Sequence, residues 1–162
     1  VDAERDYAGL DRTGSGFIEY AQKFVSSPGK KDGLYWPVAA GAEESPLGPL
    51  MAAAEAQGYG GRHEPYPGYL YKILKRQGAH ASDGARDYVV KGHMIGGFAL
   101  IAYPAKWGDS GVMTFMVNQD GIVYERNLGR DTARLAPRIS SYDPDARWKA
   151  AQATALTAAP AR

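Results

Sequence analysis

The chain contains no cysteine, which removes disulfide staples, thiolate nucleophiles and cysteine-ligated zinc or iron–sulfur centres together. Charge of one sign is also missing: 19 Lys+Arg stand against 18 Asp+Glu, a formal net charge of +1. No basic field therefore exists to hold nucleic acid or anionic lipid. No apolar run approaches the roughly 18 residues of a membrane-spanning helix, so no membrane span is expected in this chain. Histidine is scarce, with three residues in all. His63, His80 and His93 form neither HxH nor HExxH, so a metal site would need the fold to converge them. With 44% hydrophobic and 23% charged residues, wholesale disorder is excluded.

What the chain does have is glycine (20), proline (10) and tyrosine (11) in 162 residues, a mixture that suits short strands and many turns. The length fits one domain. We expect a single α+β domain over residues 1–150 and a frayed, Ala-rich tail over 151–162. Residues 1–10 read as a helix with no capping side chain before it. The chain is accordingly expected to be the C-terminal part of a longer precursor. DRTGSG at residues 11–16 breaks that helix, and residues 17–25 resume an apolar rhythm as a short helix or extended piece. Tyr35 and Trp36 are expected to pin an ordered loop over residues 30–44. Ser45-Pro46 supplies a cap and a first-turn proline for a helix over residues 46–57, with the adjacent Glu43 and Glu44 favouring its positive dipole end. From Tyr69 the pattern changes to alternation. Strands are expected at residues 69–74, 98–103, 112–118 and 121–126, with shorter pieces near 87–91, and Asp120-Gly121 marks a hairpin. A short helix interrupted near Pro137 and a last helix from Asp143-Pro144 through Trp148 close the reading. The fold class expected is α+β, with N-terminal helices packed on an antiparallel meander of about four strands.

Four constellations could carry chemistry. Gly108-Asp109-Ser110-Gly111 spells the tetrapeptide around the nucleophile of trypsin-like proteases, but that chemistry needs an oriented His and a two-barrel fold longer than this chain. A plain turn is the reading adopted, and no catalytic residue is assigned. Asp11, Thr13, Ser15 and Glu19 space oxygens at positions one, three, five and nine of an EF-hand-like loop with Gly16 at six, a partial calcium pattern. Two hydroxyls replace carboxylates, Arg12 adds positive charge and Gln22 stands where the twelfth, acidic ligand belongs. Tyr59, Tyr66, Tyr69, Tyr71, Tyr88 and Tyr103 could line a groove for sugars or peptides, although alternating tyrosine also fills a half-buried sheet. Of these, Tyr69, Tyr71 and Tyr103, with Trp36, are the candidate ligand-binding set. Lys72, Lys75 and Arg76 lack an RNP-type companion and make no RNA signature. No cofactor is expected.

The segments SSPGKKDGLYWP (26–37), SPLGPL (45–50), EPYPGYLYKILKRQG (64–78) and MIGGFALIAYPAKWGDSGVMTFMVNQDGIVYERNLG (94–129) occur in this order. Together they resemble the bacterial domain-of-unknown-function family 2950 over roughly residues 1–148. The resemblance implies exported proteins of Gram-negative bacteria with no established activity, hence a periplasmic or secreted location. It also implies an acidic loop where this chain has DRTGSGFIEYA, so the departure weakens the calcium pattern. A looser, architectural likeness to the globular part of type IV pilins and pseudopilins follows from helix, loop and antiparallel strands ending in a DG hairpin. The function expected is thus that of a non-enzymatic envelope protein acting through protein contacts, by self-assembly or as an accessory subunit. The alternative is a periplasmic module binding a small ligand or glycan on its tyrosine-rich sheet face.

Overall fold

Alternating apolar side chains become strands in the computed structural model, which describes residues 1–38, 41–49, 51 and 68–152. The first strand, β1, is Tyr69–Leu74. Two small hairpins follow: β2 (Arg76–Gln77) pairs with β3 (Arg86–Asp87), and β4 (Val89–Val90) with β5 (His93–Met94). Lys91 and Gly92 close the second with φ of 51° and 89°, the left-handed pair that a two-residue hairpin turn demands. The chain then lays down β6 (Ala99–Pro104), β7 (Met113–Asn118), β8 (Tyr124–Asn127) and β9 (Lys149–Ala150). One antiparallel sheet results, in the order β1-β6-β7-β8-β9. The fold is α+β with little helix among the described residues.

The register sorts the side chains onto two unlike faces. Leu74, Ala99, Ile101 and Met116 occupy one face and are at most 2% exposed; Tyr88, Met94, Phe98, Tyr142 and Trp148 pack over them as the main core. Pairing of Tyr71 with Ala102, Leu100 with Val117 and Ala102 with Phe115 puts those residues on the other face. Burial along β7 alternates in step, with Phe115 and Val117 half-buried between the sealed Thr114, Met116 and Asn118. A smaller cluster of Tyr7, Ala21, Leu34, Trp36 and Leu47 stands on that second side, with Phe24, Met51 and Ile73 against it.

Several expected elements are corrected. The first helix, α1, runs only Asp2–Tyr7: the Arg12 guanidinium, folded back and buried, donates to the carbonyls of Asp6 (2.6 Å) and Tyr7 (2.5 Å) and caps it. Of the two forms expected for residues 17–25, the extended one is taken, beside residues 33–35, with Leu34 N–H bonded to Lys23 O and Tyr35 N–H to Phe24 O. Much of the helix expected at 46–57 lies outside the described residues. At its start the Ser45 hydroxyl is buried without a partner, and the Ser45 carbonyl closes the turn by accepting Gly48 N–H. Glu43 does not serve that helix end but bonds to Arg12 and Lys31. The helix after Asp143 is absent over the described residues. Trp148 is buried in the core, and Lys149 and Ala150 pair with Glu125 and Tyr124, a tertiary pairing that overrides the local signal and supplies the fifth strand. At the DG hairpin Gly121 adopts φ 82° and donates to Asn118 O. The ladder between β7 and β8 ends at Met116↔Tyr124, so the loop is wider than the dipeptide suggests. The helical stretch before residue 139 is a 3-10 turn (Gly129–Asp131), α2 (Thr132–Leu135) and a second 3-10 turn (Ala136–Arg138). Of the expected tail at 151–162, Ala151 donates its N–H to Val123 O, and residues 153–162 lie outside the described residues.

Candidate ligand cavity

Between α1 and the second sheet face lies a cavity of about 240 Å³. Leu100, Ala102, Phe115 and Val117 form its floor; Phe24, Leu34, Leu47 and Met51 stand at its sides; Val1, Ala3 and Glu4 close it from above. Tyr71 completes a wall and stacks on Phe24, with ring centroids 5.2 Å apart and planes 15° from parallel. Apart from Tyr71, Glu4 is the one polar side chain among the described wall residues.

Glu4 is fully buried. Its Oε2 accepts the Ala21 N–H at 2.9 Å, and its Oε1 has no hydrogen-bond partner. Helix periodicity explains its position: three residues before the buried Tyr7, it shares that side chain's inward face. Loss of hydration raises the Glu4 pKa from 4.5 to about 8, against the opposing pull of the Ala21 N–H and the chain's amino group. At neutral pH the group is therefore mainly a neutral acid, able to donate as well as accept.

The four candidate ligand-binding residues do not share one surface. Tyr71 reaches the cavity. Tyr69 lies on the same strand face but donates its hydroxyl to Met113 O at 3.1 Å, and its ring sits where any Cβ on Gly111 would be. Tyr103 pairs with Leu70 in the register and so belongs to the opposite face, against the main core. Trp36 is buried in the smaller cluster, its Nε1 donating to Glu43 O at 3.3 Å. Tyr88 is also interior, donating to Gln77 Oε1 at 2.9 Å. Tyr59, Tyr66 and His63 lie outside the described residues.

The calcium candidates do converge. The Thr13 and Ser15 hydroxyls donate to Glu19 Oε1 at 2.8 and 3.1 Å, and Asp11 accepts the N–H groups of Ser15 and Gly16. His93 Nδ1 stands 3.4 Å from Glu19, and Met94 N–H faces its other oxygen. Burial works against ionisation of Glu19, but hydrogen bonds from Thr13, Ser15 and His93 hold its carboxyl below the usual range. This loop thus docks onto the β4–β5 hairpin through Glu19. Among the described residues no group of three or more His, Cys, Asp or Glu side chains is placed to hold a metal ion.

The remaining motifs resolve into ordinary structure. The Ser110 hydroxyl accepts Lys106 N–H at 3.0 Å inside a turn, beside a Lys106–Asp109 ion pair of 2.6 Å. His80 bonds instead to Asp143 at 2.9 Å and His93 to Glu19. Lys72 donates to Pro137 O, Lys75 to Gln22, and Arg76 pairs with Asp87, so the basic trio is dispersed. No helix of the described residues is long and apolar enough to cross a membrane.

The residue that sequence reasoning missed is Glu4. An acidic side chain in a first helical turn reads as a dipole partner in solvent; the available signal was its spacing from Tyr7. No curated protein and no solved structure matches the chain. A family profile described as "Protein of unknown function (DUF2950)" matches residues 1–151. On that match, which takes in nearly the whole sequence, the chain belongs to the DUF2950 family.

Proposed function

We propose that the domain is a non-catalytic binding module that takes up a small, largely apolar molecule between α1 and the open face of its sheet. The cavity carries this reading. At about 240 Å³ it exceeds the roughly 150 Å³ apolar cavity that suffices for benzene. Its walls offer water few polar partners, whereas a bound water needs two to four. An apolar guest gains both dispersion contacts and release from water there. The binding site is thus the tyrosine-bearing sheet face, narrowed to Tyr71, and the chemistry is apolar rather than glycan. Export to the periplasm or beyond is part of the proposal and rests on the family resemblance alone.

A titration with the apolar dye N-phenyl-1-naphthylamine tests it. Saturable fluorescence enhancement is expected, abolished by Ala102→Phe, which fills the floor, with the circular dichroism spectrum kept. Absence of saturable binding, or equal binding by Ala102→Phe, overturns the reading.

Action through protein contacts stands second. It is favoured by Phe17 and Ile18, 48% and 58% exposed, beside a β4–β5 hairpin whose Val90 and the following Ile95 are exposed as well. On that reading the domain serves as an accessory or self-assembling subunit with a pilin-like arrangement of helix and sheet. A monomer at all concentrations in analytical ultracentrifugation argues against self-assembly.

A further inference from the structure

Resting on the cavity reading above, we infer that Glu4 selects the guest: the site takes a neutral amphiphile whose apolar body fills the cavity and whose single oxygen, a ketone carbonyl, accepts a hydrogen bond from the Glu4 carboxyl. Three observations converge on this class. The cavity wall is apolar apart from Glu4 and Tyr71. The Glu4 carboxyl is anchored by one oxygen only, Oε2 on Ala21 N–H, leaving Oε1 buried and unpaired. A buried, unsatisfied polar atom destabilises its surroundings, a cost that a guest oxygen removes and an alkane does not.

The direction of the bond follows from protonation. With Oε2 accepting from Ala21, the proton of the neutral acid resides on Oε1, which then donates. An anionic head such as a fatty carboxylate meets no positive group among the described wall residues beyond the Val1 amino group, and its burial is opposed by desolvation. Oε1 is shut off from water in the empty cavity, so the carboxyl tilts toward the guest when the bond forms. The size admits a guest of roughly eight heavy atoms, taking about 30 Å³ for each water-sized unit.

Ionisation of Glu4 removes the donor, so affinity for the oxygenated guest falls as pH rises through about 8. The ionisable groups that face Glu4 are the Val1 amino group and the Tyr7 phenol on its own element and Tyr71 across the cavity; Ala21, Phe24, Leu34, Leu47, Met51 and the floor bring none. Tyr7 is itself pushed up to about 12, by burial first and then by nearby carboxylates, and does not titrate in this window.

The test is displacement of the naphthylamine dye by 2-hexanone and by n-heptane, its apolar counterpart, on wild type, Glu4→Gln and Glu4→Met. The hexanone-to-heptane affinity ratio is expected to fall about five- to tenfold in Glu4→Met, the worth of one hydrogen bond. It is expected to survive in Glu4→Gln, whose amide still donates. Between pH 6 and pH 9.5 hexanone affinity should drop for wild type and stay level for Glu4→Gln, because a ketone only accepts and an ionised carboxylate has no proton to donate. If the dye binds but the ratio is the same in wild type and Glu4→Met, the inference falls and the cavity reading stands. If the dye does not bind, both fall. Should Glu4→Met not fold, the pH series decides alone, and parallel profiles for wild type and Glu4→Gln overturn the inference.

Discussion

Glu4→Gln should change how stability depends on pH, by an amount that the burial of one carboxyl determines. In the unfolded chain Glu4 titrates near 4.5; in the fold its pKa is about 8. The folded state thus holds a proton between those values that the unfolded state has released. Because the folded value is the higher one, the stabilising contribution is complete below pH 4.5 and is lost as pH climbs toward 8. Each unit within the window lowers the unfolding free energy by about 1.4 kcal/mol. From pH 5 to pH 7 this amounts to about 3 kcal/mol, a large share of the 5–15 kcal/mol typical of a domain. Gln keeps an oxygen for Ala21 N–H and does not titrate. The assay is urea unfolding of wild type and Glu4→Gln at pH 5, 6, 7 and 8. The difference between the two chains at each pH isolates Glu4, since the contributions common to both cancel. Gln should gain on wild type by about 1.4 kcal/mol per unit between pH 5 and pH 7. A difference that stays constant from pH 5 to pH 8 refutes the reasoning, because it would mean that the group ionises in the fold as it does in water.

Glu19 should act in the opposite sense. Its folded pKa is depressed below 4.5, so its contribution is present above that value and lost as pH falls through the folded pKa; Glu19→Gln should flatten the acid limb of the stability curve below pH 4.5. Gln77→Leu should destabilise by about 3 kcal/mol in chemical unfolding, because Gln77 accepts from the fully buried Tyr88 hydroxyl and donates to Ser82 O and Gly84 O, both at 2.6 Å. Gly33→Ala should lower the melting temperature at a cost of about 2 kcal/mol, since its Cβ would stand 2.7 Å from Ser26 N and 2.8 Å from the Val25 carbonyl carbon, where only backbone could give way.

The strands were legible where burial on one face writes itself into every second residue. MTFMVN in β7 is the clearest case, with half-buried and sealed positions in strict alternation. β9 was not legible, because two residues carry no period and its existence depends on Tyr124 and Glu125. The short α1 was overextended because nothing local announces that Arg12, in a loop read for calcium, turns back to take the carbonyls of Asp6 and Tyr7. The candidate site was half legible. Tyr71 followed from the alternation of β1, but Tyr69 and Tyr103 could be separated only by the register between β1 and β6. Glu4 required knowing what the helix lies over, which is tertiary information.

The pairing of Leu74 with Ala99 encloses residues 75–98 between neighbouring strands, and this bears on the order in which the chain assembles. β6, β7 and β8 are joined by short connections, whereas β1 must wait for a longer closure whose entropic cost grows with the logarithm of its length. The β2–β3 and β4–β5 hairpins shorten that closure by folding locally within it. Early structure is therefore expected in β6–β8, with β1 docking late: substitutions in β7 such as Met116→Ala should slow folding, while Ile73→Val in β1 should chiefly speed unfolding. Tyr71, the wall that β1 brings to the cavity, would then be set after the β6–β7 floor on which the cavity stands.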